Sequence, residues 1–262
     1  NDGKAKSALE ASGSAGLVNY WRNNGLSEWK DLKGSNDGNT TAGVVETILI
    51  PEGVDTTRDS QGFLMNKKRS TRNTSSLNLT TRPNDRVVVL DDDVCDFGTG
   101  PFSAECWVQY GFIDNSVFGE GTSSLNVVYS SGQLSSNSER GFGLITRTSD
   151  LLVRMGDGNT TRSKSFSLED DGTEVVGKWY HIVITRTGTT CKVYVDGAEK
   201  ATETHADWGA NVNTDDPFLI GDDANGSRDY KWPVDGIKLY NKALDSTEVQ
   251  RNYKATKGSH RN

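Results

Sequence analysis

Five groups of side chains in this sequence are of types that could do chemistry. The first is Glu169-Asp170-Asp171-Gly172-Thr173-Glu174, whose Glu-x-Asp-x-x-Glu spacing could supply the acid and nucleophile of glycosidic-bond cleavage. The retaining form of that reaction needs two carboxyl groups about 5–5.5 Å apart. A strand presenting them would alternate the acids with apolar residues buried on its other face. The intervening residues here are Asp170, Gly172 and Thr173, a turn composition, so an acidic surface loop is expected instead. The second group is the three histidines, His181, His205 and His260. They are scattered, His260 lies in a polar tail, and no Gly-x-Ser-x-Gly elbow accompanies them. No nucleophilic triad is expected.

The third group crowds one glycine-containing loop: Asp222, Asp223, Asn225 and Asp229. Calcium takes roughly six to eight oxygen ligands from carboxylates, carbonyls and water, and this loop is rich in them. The spacing is not that of an EF-hand, so a calcium site and a solvated acidic turn stand as alternative readings. Zinc is not expected from three scattered cysteines and three scattered histidines. The fourth group is aromatic. Trp208, Tyr230 and Trp232 sit in segments rich in Asp and Asn, with Asn225 nearby. Sugar rings have one apolar side, so an aromatic face flanked by polar groups is a carbohydrate platform. On that reading 207–214 and 222–232 face outward. The fifth group is basic: Lys67, Lys68, Arg69 and Arg72, in a polar excursion over 52–76. Local positive charge on an acidic chain makes it a candidate for docking against an acidic protein neighbour.

The elements that must position these groups read as strands. Apolar alternation marks 180–186 and 190–195, with a two-residue Asp196-Gly197 turn after them. Further strands are expected at 44–50, 85–90, 126–130, 141–147, 151–155, 165–168, 218–221 and 237–240. Trp107 is expected in the core. One helix closes the chain. Asp245 is its N-cap, Glu248 completes a capping box, and Leu244 with Val249 forms a hydrophobic staple. The helix is expected to end near 254–257, with Gly258 as the stop.

The totals fit this picture. A chain of 262 residues can bury a sizeable core, and 28 glycines with only 33% hydrophobic residues suit many strands joined by polar turns. A net charge of −7 argues against nucleic acid or an anionic membrane as the main partner. No apolar run approaches the roughly 18 residues of a membrane span, so no membrane insertion is expected. Cys95, Cys106 and Cys191 are too few for a disulfide framework, and unpaired buried thiols suit assembly in a reducing host cytoplasm. Residues 1–16 read as a linker or N-terminal arm, 17–258 as one domain, and 259–262 as a tail.

Several motifs, in order, resemble the laminin G-like, concanavalin A-like lectin family. They are Trp29 to Gly34 with Asn36-Asp37-Gly38-Asn39; Phe97, Phe102, Trp107 and Val108; and Trp179-x-His181. Tyr194 to Gly197, 218–221, Asp235 to Asn241 and Ala243 to Val249 follow. The resemblance implies an all-β, two-sheet antiparallel jelly-roll sandwich with a short C-terminal helix. It also raises the calcium reading, because such domains often hold calcium at the sandwich rim. The run Gly62 to Asn66 before Ser76 to Leu79 is similar to virion structural proteins of marine tailed phages. That similarity implies a non-enzymatic capsid decoration or tail-fibre component on a virion surface, an oligomer in contact with other virion proteins, with cell-surface glycans as a further partner. A calcium-dependent carbohydrate-binding adhesin module is the alternative, and a polysaccharide-cleaving enzyme the third reading.

Overall fold

The computed structural model describes residues 15–21, 28–41, 47–51, 73–77, 86–90, 92–109, 125–132, 134, 140–146, 150–169, 178–224, 228, 230 and 233–260, with side chains described except at 28, 40, 41, 47–51, 73–77 and 92. Sixteen strands are found among them. They are β1 (Leu17–Trp21), β2 (Glu28–Trp29), β3 (Gly38–Thr41), β4 (Thr47–Pro51), β5 (Asn73–Leu77), β6 (Arg86–Val89), β7 (Phe102–Gln109) and β8 (Asn126–Ser131). The rest are β9 (Arg140–Thr146), β10 (Leu151–Asp157), β11 (Thr161–Phe166), β12 (Trp179–Thr187), β13 (Thr190–Val195), β14 (Ala198–Thr204), β15 (Phe218–Ile220) and β16 (Val234–Tyr240).

They form two antiparallel sheets. The first runs β14-β13-β12-β7-β16-β5-β4, with β1 also paired to β16. The second runs β11-β10-β9-β8-β15-β6-β3-β2. The fold is the all-β two-sheet jelly-roll sandwich that the family resemblance implied. One helix, α1 (Ser246–Thr256), closes the described chain, and no helix among the described residues is long and apolar enough to cross a membrane.

Strand alternation builds the inter-sheet core. Phe102, Ala104, Cys106 and Val108 of β7 join Tyr180, Ile182 and Ile184 of β12 on the inward face, meeting Tyr129, Phe142, Leu144, Val153 and Phe218 of the second sheet. Each such side chain contributes about 1.5–3 kcal/mol on burial. In β16 the register shifts between Asp235 and Lys238, where Gly236 has φ 63°. That extra residue lets Val234, Ile237 and Leu239 all reach the core. The three cysteines are free and buried, as expected.

Local chemistry matches the sequence at several joints. Asp196 (φ 51°) and Gly197 (φ 85°) make the turn between β13 and β14, both in the left-handed region that a two-residue hairpin needs. The Asp31 carboxylate accepts from Asn19 Nδ2 (2.7 Å) and from the amides of Tyr20 (3.0 Å), Lys33 (3.0 Å), Gly34 (2.9 Å) and Asn36 (3.3 Å). It thereby organises the turn after the buried Trp29. The capping box forms in both directions, Glu248 amide to Asp245 Oδ1 at 2.9 Å and Asp245 amide to Glu248 Oε2 at 3.1 Å. The helix ends at Thr256, within the expected 254–257, with Lys257 as a right-handed C-cap; Gly258 is not the stop but lies in the 3₁₀ turn Lys257–Ser259 that follows. The β11 strand sits earlier than 165–168, because its polar residues 161–165 pair in register with β10.

Candidate functional site

The described surface offers a different site from the one expected. Of the carbohydrate candidates, Trp208 is wholly buried. It lies in a 3₁₀ turn, Ala206–Gly209, that packs on β10, β11, β12 and β13 and plugs one end of the sandwich. Its indole N–H donates to Glu203 Oε2 at 3.0 Å, and Glu203 is itself gripped by Arg162 at 2.8 and 3.0 Å. A ring in that position offers no face to a sugar, so the outward reading of Trp208 is corrected. The reason is that Glu203 supplies the polar partner that lets an indole bury. Tyr230 is also buried, its hydroxyl donating to the Gln109 carbonyl at 2.9 Å, and is equally closed to ligand. Trp232 and Asn225 lie outside the described residues, as do Lys67, Lys68, Arg69 and Arg72.

The acidic loop is half visible. Asp222 is fully buried and accepts from Arg86 Nη1 (2.9 Å) and from the amides of Asp223 (2.8 Å) and Arg228 (3.1 Å). Asp223 is fully buried with Arg228 Nε 3.8 Å away. Two arginines stand where a cation would, so these two acids as placed do not fit a calcium site. Asn225 and Asp229 are outside the described residues. No group of three or more His, Cys, Asp or Glu able to hold a metal occurs among the described residues.

The candidate acid pair fares similarly. Glu169 accepts from Lys178 Nζ and from the Tyr180 hydroxyl (2.6 Å). Lys178 first, then Tyr180, holds its carboxyl below the usual carboxylate range. A general acid needs the opposite shift. Glu174 lies outside the described residues.

What the structure does assemble is on the outer face of the first sheet, under α1. Alternation along β7 turns Ser103, Glu105 and Trp107 away from the inter-sheet core, and pairing sets Trp107 opposite His181 of β12. Trp107 is buried, as expected, but beneath the helix rather than between the sheets. Its indole N–H donates to Thr256 Oγ1 at 3.0 Å. His260 lies parallel on it, ring centroids 4.2 Å apart at 4°, with Nδ1 3.2 Å from the Thr256 carbonyl and Nε2 3.0 Å from Asp235 Oδ2. Thus His260 is not a free tail residue: it pins the C-terminal turn to β16.

Next to Trp107 lies a buried ionic cluster. Glu105 accepts from Lys238 Nζ (2.7 Å), the Tyr240 hydroxyl (2.9 Å) and Asn252 Nδ2 of α1 (2.7 Å), with His181 Nε2 3.2 Å away. Burial works to raise the Glu105 carboxyl, but Lys238 and His181 outweigh it and hold it far below its ordinary value. These groups lock the helix onto the sheet.

The docked helix leaves an open cleft of about 420 Å³, lined by Trp107, Lys178, Trp179, Asp196, Tyr253, Lys257 and His260. Trp179 meets the His260 ring edge-on at 5.0 Å and 66°, and Tyr253 lies 5.9 Å from Trp107 at 27°. Trp179 and Tyr253 are half-buried, so both offer surface to a ligand. Asp196 accepts the His181 amide at 2.9 Å, and burial raises its carboxyl above the usual value. The cleft thus combines aromatic walls with a few polar groups, and its volume falls within the roughly 300–1,000 Å³ range of ligand pockets.

The sequence between residues 82 and 250 matches the family model described as the concanavalin A-like lectin/glucanases superfamily. The chain belongs to that superfamily. A search of curated protein sequences found no match. Similar solved structures include the binding domain of Paraclostridial Mosquitocidal Protein 1 (17% identity, TM-score 0.62, 91% of this chain and 52% of that one). The receptor-binding domain of botulinum neurotoxin type G is another (17%, 0.60, 92% and 51%). So is the ligand-binding domain of botulinum neurotoxin serotype D in complex with N-acetylneuraminic acid (15%, 0.63, 93% and 52%). The chain spans about half the length of these neighbours, and at such identity the likeness shows the fold.

None of the seven residues lining the cleft was read from the sequence as a binding residue: Trp107, Trp179 and Asp196 were read as parts of the fold, and His260 as tail. One signal was available. Trp107 and His181 carry bulky side chains on the strand faces opposite the core, which asks for a covering element.

Proposed function

We propose that this chain is a non-enzymatic attachment domain that holds cell-surface glycan in the cleft beneath its C-terminal helix. The carrying observation is the cleft itself, an open pocket walled by Trp179 and Tyr253 on a lectin-superfamily sandwich. The binding domains among its structural neighbours, one of them in complex with N-acetylneuraminic acid, support a binding rather than a catalytic role. On this reading the domain serves a virion surface, as a capsid decoration or tail-fibre component, oligomeric and docked to other virion proteins through the basic segment at 67–72. The similarity of 62–79 to phage virion proteins supports that placement.

Glycan-array binding of the intact chain, in calcium and in chelator, tests the proposal. Binding to a defined set of glycans that is lost in Trp179→Ala supports it. Silence in both conditions refutes it. Binding only in calcium contradicts it, because among the described residues the cleft offers a single carboxylate, Asp196.

A further inference from the structure

We propose that the cleft selects sugars bearing a carboxylate, with Lys257 as the residue that reads the acid. This inference deepens the glycan-binding proposal and rests on it. The argument is the disposition of charge around the aromatic walls. Four charged or ionisable groups other than Lys257 border the cleft, and three of them are committed elsewhere. Lys178 is ion-paired with Glu169 and lies over the Tyr180 ring at 4.6 Å. His260 faces Asp235 and the Thr256 carbonyl. Asp196 takes the His181 amide.

Lys257 differs. It is exposed, its ammonium lies 5.5 Å above the Tyr253 ring, and no described carboxylate pairs with it. A pyranose laid against Tyr253 and Trp179 would place its substituents at the level of that ammonium. A neutral hydroxymethyl group gains a single hydrogen bond there, whereas a carboxylate gains a charge-assisted one. Asp196, which also lines the cleft, can accept from ring hydroxyls. It also penalises a second acid, so the cleft suits one carboxylate per bound sugar.

The test is an array of carboxylated glycans printed beside the same glycans after carboxyl reduction. It would be probed with the wild-type chain, Lys257→Met, Lys257→Arg and Trp179→Ala. The wild type is expected to retain carboxylated members about tenfold better than their reduced partners, and less so at high salt, because an exposed charge is screened. Lys257→Met should erase that preference, whereas Lys257→Arg, which keeps the charge, should retain it. Trp179→Ala should lose both classes. Equal retention of acidic and reduced glycans, or a preference unchanged by Lys257→Met, overturns this inference and leaves glycan binding standing. Retention unaffected by Trp179→Ala overturns the cleft as the site. No retention of either class overturns the underlying glycan-binding proposal.

Discussion

Removing one partner of the buried Glu105–Lys238 pair should undock the helix that forms the cleft. Both side chains are at most 2% exposed and meet at 2.7 Å. Glu105→Leu leaves the Lys238 ammonium buried without its counter-ion and strips the acceptor from Tyr240 and Asn252. Uncompensated burial of that kind costs about 3–5 kcal/mol. Lys238→Met should cost somewhat less, since Glu105 keeps two hydrogen bonds and a neighbouring imidazole. The double variant should be more stable than the sum of the singles by about 0.5–3 kcal/mol, because it leaves no orphaned charge. Urea unfolding gives the readout. With an m-value of about 2–3 kcal/mol/M, the single variants should lower the midpoint by about 1–2 M at unchanged m. Singles that each cost under about 0.5 kcal/mol, the range of ordinary surface changes, or strictly additive effects would refute the reasoning. The pH dependence has a definite sign. A carboxyl held below its unfolded value contributes fully above that value and loses its contribution as pH falls through the folded one. Burial opposes the charge of Lys238, but Glu105 holds its ammonium above the ordinary value. Its contribution is therefore present below the unfolded value and is lost only as pH rises through the folded one. The pair should thus give a flat plateau through neutral pH, absent in both single variants.

Three further outcomes follow from the same packing. Burial raises all three thiols, Cys191 to about 12, so the native chain should react slowly with a thiol reagent and yield three equivalents only in denaturant. Trp208→Ala should lower stability by about 3–5 kcal/mol yet leave array specificity unchanged at a temperature where the variant is folded. Asp245→Ala should cost about 1 kcal/mol, seen as faster hydrogen exchange over 246–250.

The sandwich was legible because strand alternation is local. Thr190–Val195 and its Asp-Gly turn, and the capping box at Asp245, need only neighbours a few residues away, and each stands where the pattern put it. The cleft was not, because it is made by contacts across long separations. Trp107 reads as a core residue from its hydrophobicity, and which face it buries depends on α1 arriving from the far end of the chain. His260 reads as tail until Asp235 and Trp107 are seen beneath it. Trp208 misled in the other direction. Its Asp- and Asn-rich surroundings suggest a rim, but Glu203 and Arg162 draw the indole inward. The acids at 222 and 223 looked like cation ligands because Arg86, 136 residues away, could not be placed beside them.

The most direct test of the account is hydrogen exchange of the intact chain with and without a saturating glycan retained on the array. The account predicts new protection over 178–181 and 253–260, the two walls of the cleft. Protection confined to other loops, with those segments unchanged, would contradict it.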